Sequence, residues 1–151
     1  MSNIKKTLSE KNKKTRLWLA RVLIAVVVFL NLQAAALFLI NPAEYAPGFE
    51  LTGVPGSAMI QALGLLFIMW NIPYIVAMIH PVRWRLSLLE AMGMQFIGLA
   101  GETFLWQLLP ANHPVIAASA TRFILFDAGD LGLLLLAWFF TQPLVPKKSA
   151  I

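Results

Sequence analysis

The stretch "LWLARVLIAVVVFLNLQAAALFLI" (residues 17–40) decides the fold, because it is apolar over the length of a membrane-spanning helix. About 20 apolar residues cross the hydrocarbon core of a bilayer as a helix, and Arg21 is the one charged residue in this stretch. It lacks the alternating pattern of a barrel strand. Because lipid offers no partners to backbone groups, only a helix satisfies them here. The sequence therefore predicts a transmembrane helix.

Three further stretches have the same apolar character: residues 56–79, 86–109 and 116–140. The chain is 59% hydrophobic and 13% charged, whereas an average soluble domain is about 45–50% apolar and about 25% charged. The sequence predicts an all-α fold, an antiparallel integral membrane four-helix bundle over residues 17–140. A basic arm (1–16) precedes the bundle and a tail (141–151) follows it.

The positive charges predict the orientation of these helices in the cytoplasmic membrane. Seven of the twelve Lys and Arg residues precede residue 22: Lys5, Lys6, Lys11, Lys13, Lys14, Arg16 and Arg21. The turn at 80–85 and the tail, with Lys147 and Lys148, are also basic, while the other two loops have no Lys or Arg. Basic loops stay on the cytoplasmic side, so both termini are predicted there. A cleaved signal peptide ending near "QAAA" (33–36) is the alternative, but its apolar run exceeds the usual length.

The fourth stretch contains "RFILFDAGDLGLLLL" (122–136), in which Arg122, Asp127 and Asp130 are charged. Each charge costs about +2.5 to +3.5 kcal/mol at the centre of a span, so these side chains must face protein, water or each other. Arg122 and Glu102 lie roughly 9 and 10 Å below the outer ends of adjacent spans. The sequence predicts an ion pair between them, either a structural clamp or part of a functional site.

A polar seam is predicted between the third and fourth spans. Asp127 and Asp130 are three residues apart and share a helix face, and the polar residues of the third span fall within an arc of about 140°. The predicted seam and possible binding residues are Glu90, Gln95, Asp127, Asp130 and, before Pro73 in the second span, Asn71. Small residues are predicted to let these helices approach closely: Gly98, Gly101, Gly129 and Gly132.

The chemistry that the sequence offers is limited. There is no cysteine, and His80 and His113 lie at opposite ends of the bundle. No phosphate-binding glycine loop or nucleophile–base spacing is present, so no cofactor, metal site or catalytic residue is predicted. The favoured function is a non-enzymatic accessory or complex subunit. The alternatives are a small proton-coupled carrier or lipid-binding or small-molecule-binding homodimer, and an intramembrane enzyme acting on lipids.

The loops carry a resemblance to a known family. The first loop is long and ends in "LTGVPG" (51–56), the second is a short basic turn, "PVRWR" (81–85), and the later hairpins are compact. Over residues 17–140 this layout resembles the small four-helix bacterial membrane proteins grouped around DoxX. The resemblance implies a small membrane subunit or accessory protein. The basic arm beside a span favours contact with anionic lipid over nucleic acid, so the predicted partners are membrane lipids and either a membrane protein or a second copy.

Overall fold

The computed structural model describes residues 2–145, and the side chains from Glu10 onward. Within this part the chain is all-helical and has no strand, which confirms the predicted all-α class. The helices are α1 (Ser2–Ile40), α2 (Pro42–Tyr45), α3 (Gly53–Ile79), α4 (Arg85–Leu108) and α5 (Pro114–Thr141), with 3₁₀ turns at Ala46–Phe49 and Gln142–Leu144. The tail lysines, Lys147 and Lys148, lie outside the described residues.

Three segments are long and apolar enough to cross a membrane: Glu10–Ile40, Gly53–Ile79 and Pro114–Leu144. The protein is therefore a membrane protein, as predicted. The predicted third span also forms a helix, α4, of 24 residues, but α4 does not reach the apolar character of the other three segments. The reason lies in its polar side chains, which include Glu90, Gln95 and Glu102.

The helix boundaries follow local chemistry. α1 begins at Ser2, so the basic arm continues the first helix, because residues 2–16 contain no proline or glycine and are rich in good helix formers. Pro114 stands in the first turn of α5, where its missing N–H costs no hydrogen bond. α3 runs without a break through Pro73.

The first loop is more ordered than its proline content predicts. It forms α2 and a 3₁₀ turn, each with a proline in its first turn, a position for which the ring is already in helical geometry. The chain then reverses through Glu50, which has φ of 55°, and Gly53, which has φ of 64°. The Glu50 carboxylate lies 2.6 Å from Nδ1 of His113 and so joins this loop to the start of α5.

The four long helices pack in a closed ring. α1 contacts α3 and α5, and α4 contacts the same two helices, while α2 packs on α3. At one end of the ring, Arg21 Nε donates to Met78 O at 3.1 Å, and the Arg85 guanidinium stacks 3.6 Å from the ring centre of Trp138. These contacts bring together the start of α4, the ends of α3 and α5, and the basic part of α1.

Two hydrophobic clusters fill the interior. The aliphatic cluster lies at the basic end and includes Ile24, Val27, Leu88 and Leu134. The aromatic cluster lies at the other end, where rings surround Phe38 at centroid distances of 5.1–6.5 Å: Tyr45, Phe49, Phe67 and Phe123. On α1, α3 and α5, polar side chains stand in sequence between the residues of the two clusters, and Gln95 of α4 follows that helix's residues of the aliphatic cluster. The core therefore has a polar layer between two apolar ones.

Candidate functional site

Gln95 of α4 is the centre of the polar layer. Its side chain is 5% exposed, and both ends of the amide are used. Nε2 donates to Asp127 Oδ1 of α5 at 2.8 Å, and Oε1 accepts from the Tyr74 hydroxyl of α3 at 2.7 Å. One amide thus fixes the relative position of three helices, because a donor and an acceptor on the same planar group are satisfied at once.

Asp130 forms a separate contact about one turn farther along α5, toward α1. It is 2% exposed, and its Oδ2 accepts from Asn31 Nδ2 of α1 at 3.3 Å. The same nitrogen donates to Val27 O at 3.1 Å. A buried carboxylate is costly unless it is hydrogen-bonded, so Asn31 supplies what Asp130 needs. The pair connects α1 to α5.

Asn71 of α3 is buried with one atom unsatisfied. It is 1% exposed, and its Nδ2 donates to Phe67 O at 2.7 Å. This bond fixes the amide orientation, because a carbonyl oxygen accepts only a donor. Oδ1 therefore faces away from the backbone, and it has no hydrogen-bond partner among the described residues.

Glu102 of α4 also has an unsatisfied buried oxygen. Its Oε2 has no partner in the described part of the chain. Asn71 and Glu102 line the same cavity, about 380 Å³ in volume, together with Gln95 and Asp127. Aromatic side chains form much of the remaining wall: Phe67, Trp70 and Tyr74. Two residues that each have a buried acceptor without a donor in the described part of the chain thus line one partly aromatic cavity, which a second carboxylate also borders.

A second cavity, about 270 Å³ in volume, continues from the first. The two share four lining residues: Phe67, Trp70, Glu102 and Leu105. From Glu102 the second cavity extends along α4 to Trp106 and Leu109, and its lining is mostly apolar. The polar cavity therefore connects to an apolar groove that runs toward the end of α4.

Gly98 allows α5 to approach α4 at this site. The Asp127 carboxylate occupies the space that a Cβ at position 98 would need. The close approach predicted for this glycine is therefore present. Gly101, Gly129 and Gly132 have open space where a Cβ would stand, so they do not serve close packing between helices of this chain.

The predicted site residues divide into two groups. The structure brings Asn71, Gln95, Glu102 and Asp127 around one cavity, with Asp130 buried on the opposite side of Asn31. Glu90 stands apart: it is exposed and lines an outer groove between α3 and α4 with Pro73 and Gly93. An arc of about 140° is too wide for one seam, and Glu90 lies at its far edge.

Arg122 does not form the predicted ion pair with Glu102. Ion pairs in the described residues join Lys13 to Glu10 and His113 to Glu50. Arg122 and Asp127 are five residues apart, about 140° around the helix axis. Since Asp127 faces α4, Arg122 must face the side of α5 that carries α1 and the first loop. Depth along the helix agreed with the predicted pair, but direction around the helix did not.

Tyr74 is a member of this layer that the sequence did not lead us to predict. It follows Asn71 by three residues and so shares its helix face, a spacing that would have identified it. Asn31, a polar residue within the first span, is expected from its residue type to bond between helices, and it donates to Asp130 of α5. Among the described residues, no group of three or more potential ligands suits a metal ion.

Comparison with protein-family models, curated proteins and solved structures found no match for this chain. The geometry of the polar layer is therefore the basis for a functional proposal.

Proposed function

We propose that all four long helices cross the cytoplasmic membrane in antiparallel order, with both termini on the cytoplasmic side. α4 belongs to this set because its polar residue Gln95 is turned inward, whereas Phe96, Ile97 and Phe104 are exposed as lipid-facing residues should be. The grouping of Arg21 and Arg85 at one end supports the orientation, since basic residues remain cytoplasmic.

Within this bundle, the proposed function is to bind a small molecule that donates hydrogen bonds. The observation that carries the proposal is that Asn71 and Glu102, whose Oδ1 and Oε2 have no hydrogen-bond partner among the described residues, line one cavity. A buried polar atom without a partner costs about 1–3 kcal/mol. A ligand with N–H or O–H groups removes that cost for both atoms, and its binding free energy includes the gain.

The walls of the cavity favour a cationic donor, a primary ammonium group. Glu102 and Asp127 supply negative charge, and a cation is attracted to the face of an aromatic ring, here Trp70 or Tyr74. An anionic ligand would meet carboxylates instead. The apolar groove beyond Glu102 provides a route along which a membrane-soluble molecule reaches the site.

Thermal unfolding with phenethylamine tests this proposal on the purified protein in lipid nanodiscs. At about ten times Kd, a ligand that binds only the folded state raises the free energy of unfolding by about 1.4 kcal/mol. Wild type and the control Glu90→Gln should show this rise. Asn71→Leu and Glu102→Gln should lose it, and phenylacetate should have no effect on any of them. Equal stabilisation of wild type and Glu102→Gln would contradict the proposal.

A second candidate function is an accessory subunit of a larger membrane complex or a homodimer. Its support is Glu90, an exposed carboxylate on the one long helix without a segment apolar enough by itself to cross a membrane. Glu90 lies near Gly93, which has open space in front of it. A partner helix on this groove would cover a charge that lipid does not solvate. Crosslinking in the native membrane from a cysteine placed at Gly93 tests this. A single protein product supports the subunit, and labelling by lipid-soluble reagents alone contradicts it.

A further inference from the structure

Arg122 and Glu44 line a third cavity, about 360 Å³ in volume, on the side of α5 away from the proposed amine site. Neither side chain forms an ion pair with a described residue, although the two carry opposite charges in the same cavity. Both are exposed rather than buried. The cavity thus presents one free cation and one free anion, within the described residues, to whatever occupies it.

The position of these charges is fixed by the surrounding structure. Ser119 Oγ donates to Gly48 O at 2.6 Å and holds the first loop against α5. The Tyr45 ring, next to Glu44, packs 5.1 Å from the ring of Phe38. Glu44 is therefore carried by a loop that is anchored on both sides, and it lines the cavity together with the α5 residue Arg122.

Arg122 reaches from within the span toward the headgroup region. It lies about 12 Å along the axis from the first residue of α5, and helical side chains lean toward the N-terminal end. The guanidinium is thereby carried back toward the loop and the membrane boundary. Below it the cavity wall is aromatic, with Phe123 and Phe126, which suits hydrocarbon.

We propose that this cavity binds the headgroup of phosphatidylethanolamine. The guanidinium of Arg122 matches a phosphate, to which it donates two parallel hydrogen bonds. The Glu44 carboxylate accepts from the primary ammonium at the other end of the same headgroup, and the acyl chain lies on the aromatic wall. A purely anionic lipid would pair with Arg122 but would be repelled by the Glu44 carboxylate. A choline headgroup has no N–H to donate to Glu44.

Lipid exchange followed by native mass spectrometry tests the proposal. The purified protein is delipidated and then offered equal amounts of phosphatidylethanolamine, phosphatidylglycerol and phosphatidylcholine with identical acyl chains. Wild type should retain phosphatidylethanolamine over either other lipid by about tenfold, the ratio that 1.4 kcal/mol produces. No preference in wild type, or a preference for phosphatidylglycerol, would overturn the proposal.

Two variants separate the roles of the charges. Arg122→Gln should lose retention of both phosphatidylethanolamine and phosphatidylglycerol, whereas Glu44→Gln should shift the preference to phosphatidylglycerol. The matched controls, Arg83→Gln and Glu10→Gln, remove exposed charges outside this cavity and should behave as wild type. Helix content measured by circular dichroism establishes that each variant is folded. Folded Arg122 and Glu44 variants with the wild-type lipid preference would also overturn the proposal.

Discussion

The two aspartates of α5 lie three residues apart, but Asp127 borders a cavity and Asp130 is buried away from it. Asp130 is closed off: it is buried and accepts a hydrogen bond from Asn31. Asp127 is hydrogen-bonded to Gln95, but it borders a cavity lined by Asn71 and Glu102, two residues that each have an oxygen without a partner among the described residues. One side of the layer is complete within the chain, and the other is not.

Whether a buried polar atom has a partner within the chain distinguishes groups that hold helices together from groups that are available to bind a ligand. A satisfied buried pair contributes to the stability of the bundle, and removing one member leaves a charge unsolvated. An unsatisfied acceptor lowers stability, so its removal should be tolerated by the fold and felt only in binding. Substitution should therefore lower the free energy of unfolding much more at the Asn31–Asp130 pair than at Asn71.

The largest expected loss of stability is at Asn31, on the side of the layer where Asp130 is buried and hydrogen-bonded. Asn31→Leu removes the donor to Asp130 and should lower the free energy of unfolding by about 2–3 kcal/mol, the cost of an unpaired buried charged acceptor. Reversible unfolding in mixed micelles measures this. Gln61→Leu is the control, because the exposed Gln61 amide makes only a 3.4 Å bond to Leu39 O. A loss at Asn31 no larger than the loss at Gln61 would contradict a structural role for the pair.

The next largest change in the free energy of unfolding is expected at Gly98, where Asp127 of α5 contacts α4. Gly98→Ala places a Cβ in the space of the Asp127 carboxylate and should displace it from Gln95. Overpacking of this kind costs about 1–3 kcal/mol. Gly129→Ala is the matched control, since it meets open space and should raise stability by about 0.5–1 kcal/mol through helix propensity. The same sign for both alanines would refute the close approach at Gly98.

A small change in the free energy of unfolding, of either sign, is expected at Asn71, on the side of the layer that borders the cavity. Asn71→Leu removes an oxygen that has no partner together with one hydrogen bond to Phe67 O. Removing the unpaired oxygen raises stability and losing the hydrogen bond lowers it by a similar amount. The free energy of unfolding should therefore stay within about 1 kcal/mol of wild type. The same unfolding assay, run beside Asn31→Leu, tests this. A loss at Asn71 equal to that at Asn31 would mean that the two sides of the layer do not differ.

The fold was largely predictable from apolar length. Three of the predicted spans correspond to segments that are long and apolar enough to cross a membrane. α4 was harder to place, because its inward polar residues lower its apolar character without interrupting the helix. The order in the first loop was missed, since proline predicts both the end of a helix and the first turn of a new one.

The site was predictable by residue type but not by pairing. Buried charge in an apolar span identified Asp127 and Asp130, and depth placed Gln95 and Glu102 near them. Depth alone also led to the predicted Arg122–Glu102 pair. The position of Arg122 around the axis of α5 turns it away from α4, the helix that carries Glu102. Partners on α1 and α3 depend on which helices become neighbours, which a single sequence does not specify. The resemblance to DoxX-like proteins stays a prediction.

The measurement that tests the central claim most directly is native mass spectrometry of the protein extracted gently from its own membrane. The double variant Asn71→Leu/Glu102→Gln is compared with wild type and with Glu90→Gln. If the unsatisfied acceptors form a ligand site, wild type and Glu90→Gln will carry the same bound small molecule, and the double variant will lack it. Identical ligand content in all three proteins would contradict the account.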